Sequence, residues 1–226
     1  MPIPWKVLSS TVATGGTCTL LSFFYVMRDI QFVPLAASDP IFHSELMKSS
    51  NPNGNPTIHD LFVKRIPLSQ IDPAFLRDPN RLLERYCGGV WAGFGFAPQR
   101  TLLTLLSGTT SDTPKSLWSP AALLNSDYKT GTEIAGHLEV IERSNGVIII
   151  RGGEKAPNQD LRPMDAFIAL TARIDQKHDI VEFAFKSIFF QGLGKSNKLP
   201  MPGPVIWLHE QYAKALLEFG VRYVLK

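Results

Sequence analysis

The last 90 or so residues of the chain constrain its fold more than any other part. Strand-like runs at 132–142, 146–152, 165–174 and 180–190 follow one another with little between them, and one amphipathic run, about 204–224, closes the chain. Strands without intervening helices pair antiparallel, because a parallel pair needs a long crossover. A terminal helix must bury its apolar stripe, and the sheet is the only large partner nearby. The pattern predicts an α+β fold: a curved antiparallel β-sheet wrapped around a long C-terminal helix, a cavity between the two, and an N-terminal helical arm.

The alternation within these runs predicts a sheet covered on one side. In 133–141, Ile134, Leu138 and Val140 form one face, and Glu133, His137 and Glu139 the other. In 180–190, Val181, Phe183, Phe185 and Phe189 oppose Glu182, Lys186 and Phe190. Asn145-Gly146 is a two-residue hairpin signal, and 152–164 is a long loop at one mouth of the cavity. On the final helix, Val205, Leu208, Tyr212, Leu216, Phe219 and Tyr223 read as one stripe facing the sheet, with His209 on its edge.

Upstream, turn formers and helix starts alternate. Asp39-Pro40, Asp72-Pro73 and Asp78-Pro79 each place an N-cap before a proline at the first helical position. They predict a short helix at 39–48 and two more after residue 72. Asn51-Pro-Asn-Gly-Asn-Pro is a loop, and 59–68 is a strand ended by Pro67. Glycines 88, 89, 93 and 95 around Trp91 predict a bend before a helix opened by Pro98. A polar loop at 107–130, around Trp118, holds one short helix at 119–125.

With 226 residues, 44% of them hydrophobic and 19% charged, the chain is long enough for one full core and short for two. Residues 35–226 read as a single domain and 1–34 as an N-terminal arm. The net charge of +3 and the scattered Lys and Arg lack the footprint of a nucleic-acid binder. Two distant cysteines, Cys18 and Cys87, point to a reducing, cytoplasmic compartment. Between Lys6 and Arg28, the 21 residues Val7–Met27 carry no charge. That run is long enough to span a bilayer, yet it is studded with Ser, Thr and Gly. A membrane anchor and an arm packed on the domain are its two readings.

The chemical motifs exclude more than they assign. Gly192-Leu-Gly-Lys195-Ser196 ends like a P-loop, but the required first glycine is Phe189. Gly93-Phe-Gly95 lacks the third glycine of a dinucleotide fingerprint. The five histidines show no metal-ligand spacing. No nucleotide cofactor and no metal are therefore expected. His137 reads either as a general base beside Glu133 and Glu139 or as a solvated residue. His209 and Tyr212 read either as groups meeting a ligand or as satisfied core residues. Arg151, Arg162 and Asp165 flank the long loop as an anion site or an ion pair. Trp91, Trp118 and Trp207 and the Phe-rich last strand suit a polycyclic or isoprenoid ligand as well as an ordinary core.

The order of elements resembles the START-like, or polyketide-cyclase-like, superfamily with its helix-grip fold. The text of the chain is similar to a group of fungal proteins in it. The stretches that carry the likeness are Asn51–Asp60, Arg85–Trp91, Gly131–His137, Lys186–Gly192 and Pro202–Tyr212 with Trp207-Leu-His209. They span roughly residues 35–226. The resemblance implies a cavity for an apolar ligand between sheet and helix. It further implies a cofactor-free cyclase or isomerase of secondary metabolism, a Diels–Alderase among the options, acting on a polyketide or terpenoid. The alternative is a carrier of a lipid or hydrophobic metabolite. No catalytic residue transfers by motif. The candidates for catalysis are His137, His209, Tyr212 and Lys186. The expected pocket is Tyr86, Trp91, Trp118, Phe183, Phe185, Phe189, Leu208 and Leu216, with Trp207 also shaping it.

Overall fold

The computed structural model describes residues 24–107, 110–144, 146–153 and 161–226. Eight strands form one sheet: β1 Gln31–Phe32, β2 Thr57–Pro67, β3 Ser116–Leu117, β4 Glu133–Ile134, β5 Leu138–Ser144, β6 Val147–Gly153, β7 Asp165–Asp175 and β8 Ile180–Phe190. Their spatial order is β1-β2-β8-β7-β6-β5-β4-β3. Every pairing is antiparallel except the short β3–β4 contact. β5 to β8 follow one another in sequence and in space. β2 joins from the far end and runs the whole length of β8, from Thr57 opposite Phe190 to Pro67 opposite Ile180.

The helices are α1 Pro40–His43, α2 Glu45–Ser50, α3 Pro73–Leu76, α4 Pro79–Ala92, α5 Ala97–Ser107, α6 Pro120–Leu124 and α7 Gly203–Arg222. The predicted caps hold. The carboxylates of Asp39, Asp72 and Asp78 accept backbone N–H groups from Ile41, Ala74 and Asn80, with proline at the first helical position. The run at 39–48 is two helices, because Ser44 recaps the chain and accepts from Met47 N. Asn51 and Asn55 are buried. Asn55 donates to Gln191 O and Gly194 O and accepts from Ser196 N, pinning the loop that leads to α7.

The main core lies between the sheet and the helices. Phe62, Ile66, Ile150, Leu170, Phe183 and Phe185 meet Leu82, Tyr86, Val90 and Trp91 of α4 and Ala213, Leu217 and Val221 of α7. Three helices approach at backbone distance. A Cβ on Gly89 would lie 2.6 Å from Gly220 O, and one on Gly88 2.9 Å from Leu123 O. α4 thus continues through two glycines and ends at Gly93. Between α7 and β2, Lys64 and Glu218 form a buried ion pair, which Arg222 extends at 3.1 Å.

Three expectations are corrected. First, 133–141 is not one strand: Ala135 and Gly136 take positive φ of 49° and 66°, so β4 turns back on β5 and His137 sits in that turn. The ring of Trp118 packs where a Gly136 side chain would be, at 2.8 Å. Second, the sheet is not covered on one side only. α1 and α2 close a second small core on the opposite face, built from Ile41, Met47, Phe167, Ile188 and Phe190. Third, the buried line of α7 is Ala213, Leu216, Leu217, Gly220 and Val221, with Gly220 against Tyr86 and Val90 of α4, whereas Val205 and Leu208 are exposed. Small residues mark this contact because α4 packs so close, and a stripe of large side chains does not reveal them.

Part of the predicted arm joins the domain. Met27 and Ile30 are buried in the main core, and β1 extends the sheet beside β2. Residues 1–23, most of the uncharged run, lie outside the described residues. No described helix is long and apolar enough to cross a membrane.

Candidate functional site

α5 leaves α4 at the Gly93–Phe96 bend and runs back along α7. Gly95 packs on Ala215 and Phe219, and further along Gln99 meets Tyr212. The two helices do not close on each other. Between them lies a groove of about 580 Å³ walled by Phe24, Phe94, Pro98, Trp207, Leu208, Tyr212 and Phe219, with Gln211 beside them. The edge-to-face pair of Phe94 and Phe219, 5.5 Å between centroids, forms one end. Tyr212 donates its hydroxyl to Gln99 Oε1 at 2.7 Å. Burial pushes the phenol well above its ordinary range, so it remains a protonated donor. A volume of this size lies within the roughly 300–1,000 Å³ of small-molecule sites.

A second constellation lies on the sheet-facing edge of α7. The Ser187 hydroxyl donates to Asp60 Oδ1 at 2.7 Å, and its Oγ lies 2.9 Å from His209 Nε2. Asp60 Oδ2 is 3.0 Å from the same nitrogen, yet no aligned donor reaches it. Phe189 stands edge-on to the ring at 4.5 Å. Serine, histidine and aspartate invite comparison with a nucleophilic triad. The geometry differs, because in a triad the carboxylate orients the ring through the nitrogen that does not face the serine. Here both partners share Nε2, the serine proton is already given to Asp60, and Ser187 is 0% exposed. This cluster fastens α7 to β2 and β8.

The opposite face of the sheet carries a third feature. Beside the α1–α2 cover runs a groove of about 430 Å³, floored by Leu61, Val63, Ala169, Ala184 and Ile149. At its edge Lys186 Nζ is held between the two Asp39 oxygens at 2.7 and 2.9 Å. Both charges are thereby compensated, and the pair locks α1 onto β8.

The predicted candidates are therefore dispersed. Of the four catalytic candidates only Tyr212 lines the α5–α7 groove. His209, three residues before Tyr212 on the same helix, sits in the polar cluster, Lys186 is on the other sheet face, and His137 is exposed in the β4–β5 turn. Of the expected pocket residues, Leu208 lines the groove, as does Trp207. Tyr86, Trp91, Phe183, Phe185 and Leu216 are core. Tyr86 packs on Phe183 at 5.1 Å and donates to Ala184 O, so the space between sheet and helix is taken up by side chains. Trp118 covers Gly136, and Phe189 backs His209. Arg151 and Asp165 form a buried bidentate pair, and Arg162 donates to Gly152 O. Burial pushes the Cys87 thiol far up, which leaves it an inert packing group.

Phe24, Phe94, Pro98 and Gln99 were not foreseen at a site. Phe94 between two glycines was their only local signal: a large apolar residue on a bend has no helix face to hide on. Among the described residues no group of three or more His, Cys, Asp or Glu could hold a metal ion. No protein-family model matches the chain, and no curated protein matches it.

Proposed function

We propose that the chain is a helix-grip, START-like protein that binds a hydrophobic polyketide or terpenoid in the α5–α7 groove and acts on it, without a cofactor, as a cyclase or isomerase. One observation carries this reading: a groove of about 580 Å³ whose wall is nearly all aromatic and aliphatic, with the Tyr212 hydroxyl as an oriented donor. Such a wall folds a flexible apolar chain into a compact shape. Orientation alone supplies up to several kcal/mol of a unimolecular barrier. A neutral phenol that leaves Gln99 for a substrate carbonyl adds electrostatic stabilisation as charge develops. The helix-grip assignment is supported by the strand order, in which β2 returns beside β8 with helices inserted after it, and by α7 lying across the sheet.

Carriage of a lipid or hydrophobic metabolite is the second reading. The small number of polar groups in the wall favours it, since one donor is little machinery for chemistry. The two are separated by incubating the full chain with a lipophilic metabolite extract, re-isolating it, and weighing bound and released compounds by mass spectrometry. A released compound of the same mass as one consumed, lost in Tyr212→Phe while binding persists, supports catalysis. A compound returned unchanged supports carriage. Phe94→Ala must weaken capture in either case, and capture indifferent to Phe94 sinks the site.

A further inference from the structure

We infer that the outer face of α5, together with the loop 191–202 and the first turns of α7, docks on an anionic lipid bilayer. The inference stands on the α5 leucines and the 191–202 loop, which lie outside the groove wall, together with exposed residues of the groove rim, and it does not require the proposed reaction.

α5 is the least embedded of the longer helices. Leu103 is its only buried residue, while Leu105 and Leu106 are 76% and 75% exposed. Pro98, Leu102 and Leu105 repeat at spacings of four and three, so they share one stripe. Pro98 is a groove residue, which makes that stripe continuous with the groove wall. Phe94 at the head of α5 is 74% exposed. Because α5 runs antiparallel to α7, its leucines come alongside the α7 start, where Trp207 and Leu208 are also exposed. The preceding loop adds exposed Leu193 and Leu199. This loop is not slack: buried Asn55 grips it through Gln191, Gly194 and Ser196. A fixed apolar surface this broad is unusual on a chain that meets only water.

Charge selects the partner. The chain has no Asp or Glu from 85 to 111 and none from 183 to 209, the two stretches that build this surface. Within the loop, Lys195 and Lys198 are exposed between Leu193 and Leu199. Leucines flanked by lysines, with a tryptophan at the rim and no acid, match the interface of a bilayer with negative headgroups. A protein partner or a second copy of this chain would not require the absence of acids. Docking in this way would set the groove mouth against the lipid, where a hydrophobic ligand partitions.

The test uses the full chain and sedimentation with phosphatidylcholine vesicles, with and without phosphatidylserine. Binding is expected with phosphatidylserine, weaker without it, and reduced by added salt. Leu102→Gln with Leu105→Gln is expected to lower partitioning about tenfold or more, from the apolar area withdrawn. Lys195→Glu with Lys198→Glu should remove the phosphatidylserine preference. All four residues are exposed and outside the groove wall, so thermal stability and ligand capture should not change. Vesicle binding that ignores both pairs of substitutions overturns the inference and assigns association to another segment, residues 1–23 first. Failure of the wild type to bind any vesicle also overturns it. Self-association abolished by the leucine pair, without vesicle binding, replaces the bilayer with a second copy.

Discussion

Gly89 and Gly220 set the distance between α4 and α7, and nothing larger fits at either place. A Cβ on Gly89 meets Gly220 O at 2.6 Å, and one on Gly220 meets Val90 Cγ2 at 2.5 Å. Backbone cannot swing aside as a side chain does. Gly89→Ala should therefore cost about 3 kcal/mol from overpacking, offset by about 1 kcal/mol of helix propensity. Gly203, where an added methyl group would meet no atom within 4 Å, serves as the control, and its Ala variant should be neutral or slightly stabilising. Denaturant titration of both variants checks this. A second residue-level expectation concerns Asp112. Its Oδ1 accepts from Trp118 N at 2.6 Å and Ser119 N at 3.0 Å, and the Ser119 bonds, first among the causes, hold the carboxyl below its ordinary 3.8. A lowered folded value means the charged form is favoured by folding. The contribution is present above pH 3.8 and fades as pH falls through the lower folded value. The melting temperatures of wild type and Asp112→Asn should differ near neutral pH and converge in strong acid; a gap that persists in acid would show that charge is not the cause. The caps at Asp39, Asp72 and Asp78 were legible from sequence because each is a local contract between one side chain and the next turn. The glycine contacts were not, because they join residues 131 positions apart.

Elements differ in how firmly they are held, and α4 and α5 are the extremes. α4 buries Leu82, Leu83, Tyr86, Cys87, Val90 and Trp91, while α5 buries Leu103 alone. Arg100 reaches back from α5 to cap α4, donating to Trp91 O and Ala92 O at 2.8 and 3.2 Å. That contact and the Gln99–Tyr212 bond are most of the polar tether of α5. Local opening should therefore release α5 long before α4. Amide hydrogen exchange is expected to run about 100-fold faster in 99–107 than in 83–92. Equal protection in the two helices would mean that α5 is fixed by contacts outside the described residues. Helix starts were readable from the Asp-Pro caps, but helix ends were not: 39–48 divides at Ser44, and α4 runs on through Gly88 and Gly89 to Ala92. The open groove was not, because helical spacing tells which residues share a face but not whether a neighbour arrives to cover it. Leu102, Leu105 and Leu106 sit on a regular helix, yet the path of α7 leaves them uncovered.

For the molecule as a whole, the mixed α+β class, the mainly antiparallel sheet and the closing helix follow from the strand runs and the final amphipathic stretch. The second face of the sheet did not follow, since Phe167 sits between Ala166 and Ile168, and Ile188 and Phe190 flank Phe189, so apolar residues fall on both faces without a clean alternation. β8 makes this two-sidedness most acute. Three successive residues, Phe185, Lys186 and Ser187, serve opposite faces in turn: core, the Asp39 ion pair, then the Asp60–His209 cluster. A shift of β8 by one position against β2 and β7 would push the Lys186 ammonium in among the phenylalanines and strand Asp39 and Asp60 at once. The polar residues of this strand thus behave as alignment marks, read on both sides of the sheet. A last strand paired one residue out of step would be penalised on both faces together, which is how its polar residues specify the register.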